Sequence, residues 1–534
     1  MQVQHIPLAE TSFMHKLTNR YLQGDDSVAD LYKWPLSFGG FAQAIEARRN
    51  TNIDRNVLVK SLQSQYNSIE GFTESPDHKL VADNILSLQN DNTFTVTTGH
   101  QLNIFTGPLY FIYKIVSTIK LAQQLKEKFP ENNFVPVYWM ASEDHDFEEI
   151  NHINLWGKVL QWQTESKTAV GYLSPKNLEN VIVELEQILG TRQNSAEIIS
   201  IFKQAYLQHN TLAQATRFLV HQLFKEYGLV IIDADDADLK KSFIPVFERD
   251  IFDNANFQAI NQTLQHLERE YKIPVKPREI NVFWLDKNIR TRIIRNGENY
   301  EAKDAGKTWI KEELQKELHE NPQNFSPNVV LRPMYQETIL PNLAYIGGTN
   351  EIAYWLELKN AFEQNNIFFS QLVVRDSALW IGKGAAKTLA GCKLHPEDVL
   401  LSFDDLKTQY YENNEIAHPA ENRLANLISD YENLRQEIQG LSSDLVASVV
   451  RSINTQAKEL KKWKSEVKKS VEAGQEKSIE KIQKTYNSLY PNGSFQERHD
   501  NFLTLYCNHG ADFIPMLLEN FDPLKGQLHI FIEE

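Results

Sequence analysis

The stretch Phe94-Thr-Val-Thr-Thr-Gly-His-Gln-Leu-Asn-Ile-Phe-Thr-Gly-Pro108 decides the fold, because it predicts a strand that turns into a helix. Its first five residues are the β-branched and aromatic types that favour a strand, and residues 109–126 beyond it form an apolar helical pattern. Gly99 and Gly107 mark the turn between them. Such a turn either offers backbone N–H groups at the helix start to a phosphate or carboxylate, or is only a tight connection.

Two further predicted strands end in acidic loops. Residues 134–140 lead into Ser142-Glu-Asp-His-Asp146, and residues 229–233 lead into Asp235 and Asp236. Strands that end in polar loops and are followed by helices are typical of a parallel α/β sheet. Because ligands of such sheets bind outside the carboxyl ends of the strands, the three loops are predicted to share one site.

The order of these patterns predicts how the chain is divided. Residues 1–420 are predicted to form the sheet-containing core, with insertions or crossovers at about 150–225 and 240–325. Residues 421–490 are predicted to form a coiled coil, and 491–534 a C-terminal segment that returns to the core.

The coiled-coil prediction depends on a short heptad pattern. Apolar residues alternate spacings of three and four at Leu424, Leu427, Tyr431, Leu434, Ile438, Leu441 and Leu445. A second long helical pattern without proline follows, and it ends at Pro491-Asn-Gly493. We interpret the two arms as an antiparallel helical hairpin.

Composition excludes several classes of protein. A net charge of −15 disfavours binding to nucleic acid, whose phosphates would repel the chain. The sequence shows neither a signal peptide nor the run of about 18 apolar residues that a membrane span needs. Its two cysteines, Cys392 and Cys507, are too few for a disulfide framework or a zinc–thiolate cluster. We therefore expect a cytoplasmic protein that binds neither nucleic acid nor a membrane.

The acidic loop supplies the strongest candidates for chemistry. Glu143, Asp144 and Asp146 could bind Mg²⁺ through oxygen or act as bases toward an amine, and His145 could be a base near neutral pH. The alternative is a solvated acidic turn that caps the next helix. Because the sequence lacks a His-x-x-x-His spacing or another closed set of ligands, no structural metal site is predicted.

A second glycine turn supplies weaker candidates for substrate contacts. After Gly347-Gly348, Asn350 and Glu351 lie at a predicted helix start, where they either contact a ligand or only cap the helix. Arg332 and Arg375 could each clamp an anion or could equally be partners in buried ion pairs.

Blocks along most of the chain resemble, in the expected order, the cysteine ligases of bacillithiol biosynthesis, the BshC family. The matching blocks are Gly99-His-Gln-Leu-Asn-Ile-Phe-Thr-Gly-Pro-Leu-Tyr110, Tyr138-Trp-Met-Ala-Ser-Glu-Asp-His-Asp-Phe-Glu-Glu-Ile-Asn151, Gly228–Asp236, Leu331–Tyr335, Leu340–Leu356 and Pro491–Asn501. One departure is His100, where members of the family often carry Gln.

The resemblance implies an α/β fold: a Rossmann-like parallel-sheet core with connective-peptide insertions and an α-helical coiled-coil domain that supports a homodimer. It also implies a ligase that forms an amide bond between L-cysteine and glucosaminyl-malate, the last step of bacillithiol biosynthesis. ATP is the expected activator of the cysteine carboxylate, and Mg²⁺ is a further candidate. Two alternatives are a nucleotide-using transferase or ligase with the same core, and a non-catalytic coiled-coil interaction protein.

With this reaction in view, loop positions assign roles to the candidate residues. Gly99, His100, Asn103 and Gly107 are assigned to the phosphate or carboxylate pocket. The catalytic candidates are Glu143, Asp144, His145 and Asp146, and the substrate-binding candidates are Asn350, Glu351 and Arg375.

Overall fold

The computed structural model describes residues 1–165, 167–416, 419–440 and 442–533. Leu441, one member of the predicted heptad pattern, lies outside the described residues.

The chain forms two compact units, each made of segments that are distant in sequence. The larger unit comprises His5–Ala378 and Glu497–His529. The smaller unit comprises Met1–Gln4, Leu379–Gln496 and the residues from Ile530 onward.

The strands, numbered in chain order, are β1 (Gln2–Pro7), β2 (Thr93–His100), β3 (Asn133–Met140), β4 (His152–Leu155), β5 (Lys158–Gln161), β6 (Val230–Asp233), β7 (Val282–Leu285), β8 (Arg290–Arg292), β9 (Ile294–Asn296), β10 (Asn299–Ala302), β11 (Lys307–Trp309), β12 (Phe325–Pro327), β13 (Asn342–Gly347), β14 (Gln371–Val374), β15 (Ser377–Ile381) and β16 (Gln527–Ile532).

The helices are α1 (Lys16–Leu22), α2 (Phe38–Arg49), α3 (Arg55–Tyr66), α4 (Lys79–Ser87), α5 (Tyr110–Lys128), α6 (Phe147–Ile150), α7 (Glu179–Leu189), α8 (Ser195–Gln208), α9 (Leu212–Phe224), α10 (Ala237–Lys241), α11 (Ile244–Asp253), α12 (Ala255–Leu267), α13 (Lys311–Glu320), α14 (Arg332–Ile339), α15 (Thr349–Glu357), α16 (Lys359–Gln364), α17 (Lys383–Gly391), α18 (Phe403–Asn413), α19 (Pro419–Glu437), α20 (Ser443–Ala473), α21 (Glu476–Leu489), α22 (Gln496–His499), α23 (Leu503–His509) and α24 (Phe513–Asn520). In the part of the chain that the structure describes, none of these helices combines the length and the apolar character that crossing a membrane requires.

The core of the larger unit is a five-stranded sheet in the order β14-β13-β2-β3-β6, with every neighbouring pair parallel. From β2 the chain adds β3 and β6 on one side and later adds β13 and β14 on the other. The strand order therefore reverses between β2 and β13, which is the place where doubly wound sheets bind ligands. This topology confirms the predicted Rossmann-like parallel-sheet core.

Strand β2 lies at the centre of this sheet and is buried along its whole length. A central parallel strand has no solvent face, so its polar side chains need internal partners. The hydroxyls of Thr95 and Thr97 supply them by donating to Oδ1 of Asn342 on β13, at 3.0 and 2.8 Å. These bonds allow a threonine-rich sequence to occupy the middle of the sheet.

Helix α5 covers one part of the sheet and is itself largely buried. Leu121 and Leu125 on its inner side pack in one apolar cluster with Phe94 of β2 and Phe134 of β3. The helix therefore packs against the amino ends of β2 and β3.

In two places the chain carries extra elements between successive strands of the main sheet. Between β3 and β6 lie the antiparallel hairpin β4-β5 and helices α6–α9. Between β6 and β13 lie two small antiparallel sheets, ordered β12-β7-β8 and β11-β10-β9, together with α10–α14. These elements supply walls above the strand ends of the main sheet.

The smaller unit contains the coiled coil, in which α19 and α20 pack side by side. The second helical pattern ends before Pro491 as predicted, at Leu489, but it is two helices rather than one, because α20 ends at Ala473 and α21 begins at Glu476. Gly474 lies in the break and its N–H donates to the carbonyl of Val471. A glycine weakens a helix at such a point because it has no side chain to restrict its backbone.

Candidate active site

A cavity of about 690 Å³ opens at the carboxyl ends of β2, β3 and β13. We call it the central cavity, and it lies at the reversal of strand order described above. Strand-end residues and residues from α5, β8, α14 and α15 line it, among them Gly99, His100, Gln101, Tyr110, Lys114, Glu143, Asp144, His145, Glu149, Arg290, Arg332, Tyr345 and Glu351.

His100 ends β2 and borders the cavity as a neutral side chain. Burial is the main cause that lowers its pKa to about 3, and the nearby Lys114 adds to the effect. Its Nδ1 lies 2.9 Å from the carbonyl oxygen of Gln101, so this nitrogen carries the hydrogen and donates it. His100 can therefore accept a hydrogen bond through Nε2, but it brings no positive charge to a phosphate.

Gln101 holds two carboxylates of the next loop in place. Its Nε2 donates to Oδ2 of Asp144 at 2.6 Å and to Oε2 of Glu149 at 2.7 Å. Burial alone would raise the pKa of Asp144, but hydrogen bonds from the backbone N–H of His145 and the amide of Gln101, together with the charge of Arg290, outweigh it. The pKa of Asp144 is held well below its usual range, so this side chain stays ionised.

Glu143, the adjacent residue, has the opposite character. Its side chain is 13% exposed and its Oε1 lies 2.6 Å from Nζ of Lys240. Burial raises the pKa of Glu143 to about 7, with Lys240 opposing the shift and Asp235 adding to it. Glu143 is therefore a carboxyl at the cavity wall whose pKa is shifted toward neutral pH.

His145 also lies at the cavity, where Arg290 controls its ring. Nη1 of Arg290 lies 2.9 Å from Nδ1 of His145. Since a guanidinium can only donate, this contact makes Nδ1 an acceptor and leaves Nε2 to carry the hydrogen of the neutral ring. Asp146 is exposed and is not among the cavity-lining residues.

Glu351, at the start of α15, is partly exposed and forms a cluster with a buried lysine and a buried tyrosine. Nζ of Lys114 donates to both carboxylate oxygens of Glu351 at 2.9 Å, and the hydroxyl of Tyr345 donates to Oε2 at 2.8 Å. Burial opposes ionisation, but the charge of Lys114 outweighs it and lowers the pKa of Glu351. The neighbouring Asn350 is exposed and lies outside the cavity lining.

Asn103 and Gly107 are not brought to the cavity, although they were predicted to bind phosphate with Gly99 and His100. Nδ2 of Asn103 donates to the carbonyl of Glu149 at 2.9 Å, and Gly107 has a positive φ of 67°. A distant segment occupies the helix start: Asn501 donates to the carbonyl of Gly107, and the N–H of Leu109 donates to the carbonyl of Asp500. The backbone groups here are thus used within the chain.

Arg375 also lies away from the cavity lining, in a buried ion pair. Its Nη2 lies 2.5 Å from Oε1 of Glu497, and both side chains are almost fully buried. Of the two alternatives for Arg375, anion clamp or ion-pair partner, this geometry matches the second.

The charges around the cavity favour an anionic substrate. Basic side chains in the lining outnumber acidic ones by six to four: Lys114, Lys276, Arg278, Arg290, Arg292 and Arg332 against Glu143, Asp144, Glu149 and Glu351. Guanidinium groups pair well with carboxylates and phosphates.

The carboxylates of the acidic loop fit a protein-held Mg²⁺ poorly. Oxygens of Asp144 accept N–H groups, and Oε1 of Glu143 faces an ammonium group. Within the described ranges, 1–165, 167–416, 419–440 and 442–533, no three His, Cys, Asp or Glu side chains form a group that could hold a metal ion.

Comparison with known proteins agrees with the fold. Residues 1–376 match the family model described as "Bacillithiol biosynthesis BshC, N-terminal Rossmann-like domain". Residues 378–533 match "Bacillithiol biosynthesis BshC, C-terminal coiled-coil domain". The chain belongs to the BshC family.

Relatives in the BshC family align over nearly the whole chain. A protein of Flavobacterium psychrophilum is 40% identical over 99% of both chains, and one of Cytophaga hutchinsonii is 36% identical over 98% of this chain and 97% of its own. A protein of Bacillus cereus strain G9842 is 28% identical over 96% of both chains. Each of the three is named "Putative cysteine ligase BshC".

Three residues in or beside this cavity, Lys240, Arg290 and Arg292, were not among the candidates predicted from the sequence. Lys240 is one of two adjacent lysines in the short helix α10, and nothing in the sequence indicates which of the two is buried. Arg290 and Arg292 are spaced by two residues, so a strand prediction beginning at Arg290 could have placed both on one face. That spacing was the available signal.

Proposed function

We propose that this protein is a ligase that forms an amide bond between the carboxyl group of L-cysteine and the amino group of glucosaminyl-malate, the last step of bacillithiol biosynthesis. ATP is the proposed co-substrate that activates the cysteine carboxylate. Membership of the BshC family and the chemistry of the central cavity support the proposal.

The observation that carries the proposal is the contrast between Glu143 and Asp144. The pKa of Glu143 is raised to about 7 while that of its neighbour is held well below its usual range. Pairs of carboxyl groups whose pKa values are driven apart are typical of acid–base catalysis. An amine nucleophile has to lose a proton as it attacks, and Glu143 can accept that proton near neutral pH.

The proposed bond-forming step balances as follows. The glucosamine nitrogen attacks the carbonyl carbon of the activated cysteine and a C–N bond forms. The bond from that carbon to the phosphate oxygen of the leaving group breaks, and the electron pair stays with the phosphate. The proton of the nitrogen passes to Glu143, and Asp144 remains ionised throughout.

The cavity offers separate regions for the substrate groups. Arg278 and Arg292 are exposed side chains at its edge and suit the carboxylates of the malate group. Glu351 is 28% exposed, so the amino group of cysteine can share its carboxylate with Lys114. Any Mg²⁺ would arrive with the nucleotide, because the acidic loop already has internal partners.

We also propose a cytoplasmic homodimer that forms through the coiled coil. Leu427 and Leu434 lie one heptad apart on α19 and remain 45% and 40% exposed. Apolar residues at this spacing favour pairing with another helix. Cys392 and Cys507 are buried free cysteines, as expected in a reducing compartment.

The test is an assay in which each component is omitted in turn. Purified protein is incubated with glucosaminyl-malate, cysteine, ATP and Mg²⁺, and bacillithiol is followed by mass spectrometry. Product that disappears without ATP is the expected result. Product without ATP would keep the reaction but contradict the activation route. A folded protein that gives no product under any condition would contradict the proposed reaction.

A further inference from the structure

Lys240 is a buried cation that the reaction proposed above does not yet use. It lies on α10 with a side chain that is 0% exposed. Its Nζ lies 2.6 Å from Oε1 of Glu143, 2.6 Å from Oδ1 of Asp235 and 3.2 Å from the carbonyl oxygen of Gln323. The ammonium group donates hydrogen bonds to Asp235 and to the carbonyl of Gln323, and its contact with Glu143 is an ion pair.

We propose that Lys240 is the positioning residue for Glu143: its ammonium group, shared with Asp235, fixes the Glu143 carboxyl at the cavity wall and sets how readily that carboxyl takes a proton from the attacking amine. This inference rests on the proposed function.

Geometry supports a role beyond folding. A buried lysine needs one carboxylate to balance its charge, and here two carboxylates share it. Asp235 is itself held from its other side, because the hydroxyl of Tyr172 donates to Oδ2. Only Glu143 of this group belongs to the cavity lining. The buried residues of this cluster therefore hold one carboxyl, that of Glu143, at the cavity wall.

The two neighbours act on Glu143 with opposite signs. The positive charge of Lys240 favours the ionised carboxylate and lowers the pKa of Glu143, while the negative charge of Asp235 raises it. The charged and titratable groups that face Glu143 are Lys240 from α10, Asp235 from the loop after β6, Arg290 from β8, Tyr172 from the segment before α7 and Tyr335 from α14.

These signs define a test that structural damage cannot imitate. In Lys240→Met, Glu143 keeps its proton to higher pH, so the acid limb of the kcat profile should move up by about one to three pH units. In Asp235→Asn, the same limb should move down. Lys240→Arg keeps the charge and should restore most of the wild-type profile. Lys241→Met is the matched control, because Lys241 is the next residue and is 59% exposed.

A second measurement is independent of turnover. The side-chain carboxyl of Glu143 is titrated by NMR in protein with ¹³C-labelled glutamate, and Glu143→Gln assigns its resonance. The midpoint should rise in Lys240→Met and fall in Asp235→Asn. If Lys240→Met does not fold, the titration midpoints of Glu143 in Lys240→Arg and Asp235→Asn still test the role of Lys240.

The outcomes separate this inference from the proposed function. A midpoint that stays unchanged, or that moves the same way in both variants, would overturn the role of Lys240 whether or not product forms. Absence of product from the wild type, with the titration as expected, would contradict the reaction and leave the control of Glu143 by Lys240 standing.

Discussion

Arg375 and Glu497 form a bidentate ion pair inside the larger unit. Nη2 of the arginine lies 2.5 Å from Oε1, and Nη1 lies 3.1 Å from Oε2. The side chains are only 4% and 2% exposed. The pair joins the end of the parallel sheet to the segment that returns from the coiled coil, since Arg375 directly follows β14 and Glu497 lies in α22.

Breaking this pair should destabilise the protein. Arg375→Met leaves the carboxylate of Glu497 buried without its cation, and the expected loss is about 3–5 kcal/mol in the free energy of unfolding. Chemical denaturation measures it. Arg498→Met is the control, because Arg498 is exposed. A stable Arg375→Met variant that instead has a raised KM would assign Arg375 to substrate binding.

Glu143→Gln should abolish most of the activity without loss of stability. The amide keeps the shape of the side chain but cannot accept a proton, and loss of a general base costs about 10²–10⁴-fold in kcat. The omission assay measures the loss. Glu148→Gln is the matched control, because Glu148 is exposed on α6, directly after the acidic loop, and lies outside the cavity lining. Near-normal turnover of Glu143→Gln would remove Glu143 from the mechanism.

His100→Gln should retain activity. His100 is neutral at working pH because its pKa is lowered to about 3, so the substitution removes no charge. A glutamine amide can also donate to the carbonyl of Gln101. We expect kcat within about fivefold of wild type, the equivalent of one neutral hydrogen bond. If the acid limb of the pH profile disappeared in His100→Gln, His100 rather than Glu143 would be the titrating group.

The fold was predictable because its signals are local. The predicted strand Phe94–Thr98 lies inside β2, and the predicted strand 134–140 lies inside β3. Both are short runs of apolar and β-branched residues between turns, which is how a buried parallel strand appears in sequence. The break at Gly474 was not predicted, because one glycine costs a helix only about 1 kcal/mol and the pattern continues beyond it.

The candidate site was predictable only as far as the loops. Of the three loops that the strand order predicted to share a site, the structure places two around one cavity, with Gly99, His100, Glu143, Asp144 and His145 in its lining. The third loop, with Asp235 and Asp236, does not contribute to that lining. What each side chain does there depends on contacts that are remote in sequence. The backbone groups beyond Gly99, at the start of α5, form hydrogen bonds with residues almost 400 positions later in the chain. The proton affinity of Glu143 depends on a lysine in another helix. Neither contact can be predicted from the spacing of residues within one segment.

Replacing Leu427 and Leu434 with Gln should convert the proposed dimer to a monomer. Both side chains are exposed on α19, so their replacement removes apolar contact area between chains and leaves the fold of each chain intact. Sedimentation velocity measures the mass. Leu86→Gln, at an equally exposed leucine of α4, is the control. A dimer that survives the double substitution would place the interface elsewhere.

Glu357 should make the protein less stable as pH rises. Its side chain is buried and its pKa is raised to about 8 by burial and by the nearby charge of Glu268. The ordinary value is 4.5, so between these pH values the folded state holds a proton that the unfolded state has lost. The contribution of Glu357 to the free energy of unfolding is fully present below about pH 4.5. It falls by roughly 1.4 kcal/mol per pH unit up to about pH 8.

Glu357→Gln should remove this slope. The variant is expected to match the wild type at pH 4.5 and to exceed its free energy of unfolding at pH 8, because the amide needs no proton to remain neutral when buried. Urea denaturation at a series of pH values measures the difference, and Glu298→Gln, at an exposed turn, is the control. Parallel curves for the wild type and Glu357→Gln would mean that Glu357 is ionised in the folded protein and has a cationic partner there.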